Sequence, residues 1–177
     1  MLQQMLRAAR LDRRVYTELV FDDYATGNAI LVVAAVYAVI ALAAALSGIP
    51  GISLTGVLLV VFGGVIGWLV IGGALWLAGV KLLDGQARFQ TVVRLVGFAH
   101  TPLLIMAIAL PLPSPASTAV AIAALVWFSA AVAEAARVLF DFDRGRSASA
   151  ALLAVAVWWI LQMIGIGPSL PLVLRRL

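Results

Sequence analysis

Five apolar stretches organise the chain, at residues 28–47, 56–80, 92–111, 117–139 and 148–166. An α-helix needs about 20 residues to cross a hydrocarbon core, and each stretch is close to that length. Punctuation separates them: the run Ser47 to Gly51 (SGIPG), the connector 83–90 (LDGQARFQ), the proline-rich 111–117 (PLPSPAS) and 141–147 (DFDRGRS). Lipid offers backbone N–H and C=O groups no partners, so every stretch must be helical to span. The pattern predicts an all-α integral membrane protein, with a bundle of five transmembrane helices over residues 25–168.

Residues 1–24 have a different pattern. On a helical wheel Leu2, Met5, Leu6, Ala9, Tyr16, Leu19 and Val20 share a side, with Arg7, Arg10 and Arg14 opposite and Asp12 intruding on the apolar side. This predicts an amphipathic N-terminal helix lying in the headgroup region, its three arginines in contact with lipid. A charged leader in water is the alternative. The segment is not expected to be a signal peptide, because its basic and apolar residues interleave and no small-residue cleavage site follows. Residues 169–177 form a short tail.

Composition agrees with this picture. The chain is 64% hydrophobic and 11% charged, whereas soluble domains are nearer half apolar and a quarter charged. Disulfides and thiolate sites are excluded by the absence of cysteine, and a site of paired imidazoles by the single histidine. The formal charge of +4 is informative through its placement and is no nucleic-acid signal. Arg7, Arg10, Arg13 and Arg14 precede the first stretch, Lys81, Arg88 and Arg94 surround the second connector, and Arg137, Arg144 and Arg146 surround the fourth. The positive-inside rule makes that side cytoplasmic, with the N-terminus inside and the C-terminus outside the cell (inner) membrane. Arg175 and Arg176 at the C-terminus dissent.

Three patterns inside the stretches bear on function. Gly56, Gly63, Gly67, Ala74 and Ala78 are spaced seven and four apart on one helix face, which predicts close helix packing. The expected seam lies within the chain's own bundle, and a homodimer seam is the alternative. Glu134, Arg137 and Asp141 alternate in sign at spacings of three and four, which predicts local neutralisation near a helix end. The run GFAHTP (97–102) then places His100 and Pro102 inside an apolar stretch. Gly97 and Pro102 predict a kink, because proline leaves the carbonyl of Phe98 without its helical donor. At 1.5 Å per residue, His100 lies about 12 Å and Glu134 about 8 Å from the same end of the bundle. Their shared depth predicts a His100–Glu134 hydrogen bond, within an intramembrane polar cluster that also holds Arg94 and Arg137.

Catalysis is not expected. Ser129 and His100 lack a nucleophile turn or an oxyanion framework, and the glycines of the second stretch have no lysine–serine sequel. Neither a cofactor nor a metal is called for.

The run WLAGVKLLDGQARFQTVVRLVGFAHTPLL (76–104) resembles the Yip/Yif family of multi-pass membrane proteins. The resemblance is carried by Gly85 in the connector, by Phe89-Gln90-Thr91, and by Gly97-Phe98-Ala99 with Pro102. Phe98 stands where the family has a tyrosine, and FDDYATGN (21–28) lacks the Asp–Leu–aromatic–Gly–Pro element of eukaryotic members. The resemblance covers residues 25–168 and implies five spans without catalysis. Eukaryotic relatives are associated with Rab-type GTPases and vesicle traffic. The cytosolic extension of those relatives is not expected here, and the compact alanine- and arginine-rich chain has a bacterial look. No GTPase partner is therefore carried over. The expected function is a scaffold, adaptor or accessory subunit that contacts the bilayer and other membrane subunits, with a homo-oligomer as a further option. The alternative is a small transporter or proton-coupled channel using His100 and Glu134.

Overall fold

A computed structural model describes residues 1–47 and 53–163, and the side chains of these up to Leu161. The N-terminal segment is two helices, α1 (Leu2–Ala9) and α2 (Arg13–Phe21). This corrects the expectation of a single amphipathic helix. Leu11 has a left-handed backbone (φ 59°) that ends α1, and Asp12 begins α2 by accepting a hydrogen bond from the Arg14 backbone N–H at 2.9 Å. Asp12, the intruder on the helical wheel, is an N-cap residue, whose carboxylate satisfies an otherwise orphaned donor.

Four helical segments among the described residues are long and apolar enough to span a membrane. They are α3 (Ala25–Leu46), α4 (Leu54–Leu77) with its π-helical extension Ala78–Leu82, the segment Phe89–Ala109, and α7 (Ala116–Phe140). The third segment comprises α5 (Phe89–Ala99), a 3₁₀ turn (Thr101–Ile105) and α6 (Met106–Ala109). The expected fifth span is the helix α8 (Arg144–Met163), which opens on Arg144, Gly145 and Arg146. Residues 164–166 of that apolar stretch, the tail 169–177 with Arg175 and Arg176, and most of the SGIPG break lie outside the described residues.

The third segment is the centre of the molecule. Of its apolar window 78% is buried inside the protein, against 33–44% for the other three. Helices α3, α4 and α7 pack around it, and α8 packs on α4 and α7. Small residues bring the helices close together. A Cβ at Gly64 would fall within the Tyr37 ring of α3, one at Gly72 would meet Val93 of α5, and one at Gly97 would meet Ala29 of α3. The predicted stripe on α4 is distributed differently. Gly67 admits the indole of Trp158 on α8, and Gly63 and Ala78 are buried. Ala74 is partly buried, while Gly56 donates its N–H to the capping Ser53 hydroxyl at 3.2 Å. Because α4 is flanked by α3, α5 and α8, no single face carries its packing.

The ends of these helices converge. Phe140 at the end of α7 packs where Cβ atoms on Gly79 and Gly85 would stand, and Arg13 lies 3.9 Å from Asp141. Helix α2 packs against α5 and α7, and α1 packs against α5 and the 3₁₀ turn. Met5, Ala8, Val15, Tyr16 and Leu19 are thereby buried against protein, while Leu2 and Leu6 remain exposed.

Candidate functional site

The polar residues of the third segment fall into two separate groups. The first surrounds the helix break. The Thr101 hydroxyl donates to the Phe98 carbonyl at 2.8 Å, which satisfies an acceptor that Pro102 cannot serve. The backbone N–H of His100 donates to Gly97 at 3.2 Å, and its ring Nδ1 lies 2.7 Å from the Val96 carbonyl. A carbonyl only accepts, so Nδ1 carries a proton, and in the neutral ring Nε2 is then the bare acceptor. The His100 ring is fully buried, 4.8 Å from the Phe128 ring and 6.1 Å from Tyr37 between centroids. Its Nε2 and the Tyr37 hydroxyl have no hydrogen-bond partner among the described residues.

The expected His100–Glu134 hydrogen bond is absent. Glu134 accepts from Arg137 at 2.9 Å on its own helix. The carboxylate also lies near Tyr16, whose hydroxyl is pushed well above its ordinary pKa by burial first and by Glu134 second. Asp141 leaves the predicted charge stripe, because it ends α7 in the left-handed conformation (φ 51°) with its side chain in the open. Gly97 serves the contact with Ala29, and the break comes three residues later.

The second group is built on Arg94, which is only 3% exposed and belongs to neither His100 nor Glu134. Its guanidinium crosses to the N-terminal part of the chain. Nε donates to the Thr26 hydroxyl at 2.9 Å and Nη2 to Asp23 at 2.9 Å. Nη1 donates to the carbonyls of Leu19 at 3.0 Å and Val20 at 3.2 Å. These carbonyls belong to the last turn of α2, where a helix has no donors of its own. A cation there also complements the helix dipole. Arg94 therefore fastens α2 to the central segment and to the start of α3. Asp23 and Thr26 were not singled out in the sequence, although an acidic pair before the first span, at the end where Arg94 enters, was a usable signal.

The N-terminal arginines divide. Arg7 pairs with Asp12 and Glu18, both at 2.9 Å. Hydrogen bonding to Glu18 and then to Asp12 raises its pKa, and the Arg7 contact lowers that of Asp12. Arg10 and Arg14 are exposed. Further ties hold α1 and α2 in place: the Trp127 indole donates to the Ala9 carbonyl at 2.7 Å, and the Tyr16 hydroxyl donates to Ala8 at 3.3 Å. Among the described residues no cluster of three or more acidic, histidine or cysteine side chains could hold a metal ion.

The family model of the Yip1 domain matches residues 9–166, which includes both polar groups and nearly all of the helical bundle. No curated protein and no solved structure matches the chain.

Proposed function

The chain belongs to the Yip1-domain family, and from that premise we propose that it is a non-catalytic scaffold or adaptor, an accessory subunit of a membrane complex. One observation carries the reading: three polar side chains inside the central segment bond the chain's own backbone. Arg94 holds the end of α2, Thr101 holds Phe98, and His100 holds Val96. A carrier needs intramembrane polar groups that are free to bind and release cargo. Those groups would face a shared path, and His100 and Glu134 have different neighbours. The transporter reading is therefore not favoured.

In this proposal α8 is the fifth span. Leu152, Leu153, Val157 and Ile160 give it an apolar outer surface suited to lipid. The N-terminus and the basic connectors face the cytoplasm of a bacterial inner membrane, and the C-terminus lies outside. Arg10 and Arg14 reach the headgroups, and other membrane subunits, or a second copy of the chain, cover part of the outer surface.

The test is purification of the native protein in mild detergent, with identification of co-purifying proteins and flux measurements on reconstituted vesicles. Stable co-purification with membrane subunits and no flux is expected. A protein that runs alone, with solute or proton flux abolished by His100→Ala and Glu134→Ala, would overturn the scaffold reading. For orientation, single cysteines at Gln86 and Ser114, both exposed, separate the two sides. An impermeant thiol reagent should label position 114 and spare position 86 in intact cells, and the reverse would invert the topology.

A further inference from the structure

Where the end of α2 meets α5 and α7, the molecule contains a half-open cleft of about 570 Å³. This volume lies within the range of pockets that hold small ligands. Arg94 and Asp23 form one wall. Gln86 and Arg88, from the connector before α5, and Gln90 and Thr91, from its first turn, form the other. The side chains of these last four make no hydrogen bond or ion pair with the described residues. Four polar side chains with unused hydrogen-bonding capacity therefore converge on one space.

The charge balance selects the ligand. Asp23 is neutralised by Arg94 at 2.9 Å, so Arg88 is left as a cation without a counter-charge in the cleft. A guanidinium is planar and offers paired N–H donors that match phosphate oxygens. Two side-chain amides and a hydroxyl can complete the shell. The rim selects the source of that phosphate. Val20, Leu139 and Phe21 surround the polar walls, and Phe21 is 81% exposed. The cleft also sits at the ends of two candidate spans, the level at which headgroups meet aromatic side chains. A free anion would leave this apolar rim in water, whereas a lipid covers it. We propose that the cleft binds the phosphate of a membrane phospholipid, with Arg88 as its cation and Gln86, Gln90 and Thr91 as hydrogen-bonding partners.

The experiment is native mass spectrometry of the full-length protein in detergent, titrated in turn with phosphatidylglycerol, phosphatidylethanolamine and inorganic phosphate. One retained phospholipid per chain is expected, with inorganic phosphate failing to displace it at equal concentration. Arg88→Gln should weaken retention by about tenfold or more, and Arg88→Lys by less. Phe21→Ser should also weaken it. Arg144→Gln, an exposed arginine outside the cleft, should change nothing. Arg88 is exposed, so its variants should melt like the wild type before lipid is added. Three results would overturn the proposal: the absence of a discrete bound lipid, an equal loss in Arg144→Gln, or equal competition by inorganic phosphate. The last would identify a free-anion site.

Discussion

Replacing Arg94 with methionine isolates what its guanidinium does, because methionine keeps most of the side-chain length and none of the donors. Removing one member of a buried ion pair ordinarily costs about 3–5 kcal/mol, most of it from the charge left unpaired. Here that component is small, because the Asp23 side chain is 97% exposed and recovers water when its partner leaves. The Leu19 and Val20 carbonyls cannot recover so easily, since the contact to Leu19 is buried and that to Val20 partly so. A buried polar group stripped of its partner costs about 1–3 kcal/mol. Arg94→Met should therefore cost about 2–3 kcal/mol in all, less than a fully buried pair and more than a surface one. Arg94→Lys should cost about 1–2 kcal/mol, since one ammonium cannot reach Thr26, the carbonyls and Asp23 together. Asp23→Asn should cost less than about 1 kcal/mol, as exposed pairs do. The assay is hydrogen exchange of residues 1–24 in detergent without added phospholipid. At 1.4 kcal/mol per tenfold, Arg94→Met should speed exchange across α1 and α2 by roughly 30- to 140-fold. The core of α4 should hardly change. An equal effect from Asp23→Asn would refute the reasoning by assigning the energy to the ion pair. Unchanged exchange in Arg94→Met would show that α2 is held by something else.

Further outcomes follow from the same contacts. Gly64→Ala would drive a methyl into the Tyr37 ring and should lower stability by about 1–3 kcal/mol, as overpacking does. Gly73→Ala has nothing within 4 Å and should be neutral or gain up to about 1 kcal/mol from helix propensity; thermal melts of the pair in one lipid decide the matter. His100→Phe loses the bond to Val96 and should cost about 1 kcal/mol. In a double-mutant cycle with Glu134→Gln the two costs should add within about 0.5 kcal/mol, and a larger coupling would restore the contact that the structure lacks. Asp12 has a pKa lowered by Arg7 and by the Arg14 N–H, so its stabilisation is present above the ordinary aspartate range and is lost as pH falls through the lowered value. Exchange protection of α1 and α2 should accordingly hold from neutral pH to about pH 4 and decline below it. Asp12→Asn, which still caps the helix, should remove the part of that decline due to this residue.

Four of the five expected spans were legible as long apolar helices, because lipid imposes a length and a composition that few other constraints override. The break at GFAHTP was legible for a similar reason: proline fixes which carbonyl loses its donor, and Thr101 is one residue away. The level of a side chain in the bundle, and its direction around the helix, were not legible. Phe128, which touches His100, precedes Glu134 by six residues, about 9 Å along α7 and about 600° of helical rotation. His100 and Glu134 are therefore separated in depth as well as in direction. The role of Arg94 escaped for a related reason, since its partners lie some 70 positions away in sequence and on a segment read as lying in the headgroups. Once Leu11 turns left-handed and Asp12 restarts the helix, the apolar side of that segment is redirected from lipid to protein.

The clamp and the cleft share a wall, and this makes them thermodynamically dependent. Val20, Phe21 and Asp23 line the cleft only while α2 is docked, and docking rests on Arg94. If a lipid binds the docked arrangement and not the released one, occupancy stabilises docking, and docking strengthens binding by the same factor. At a lipid concentration one hundred times its dissociation constant, the added stability is about 2.7 kcal/mol. That is comparable to the loss expected from Arg94→Met. Saturating phospholipid should therefore slow exchange of residues 1–24 in the wild type by roughly a hundredfold. Arg94→Met should bind the lipid more weakly although Arg88 is intact, and excess lipid should restore much of its protection. Arg88→Gln should show the opposite division, with normal protection in the absence of lipid and no gain on adding it. If lipid leaves exchange of residues 1–24 unchanged while still binding stoichiometrically, the cleft does not depend on α2, and the shared wall has no energetic meaning.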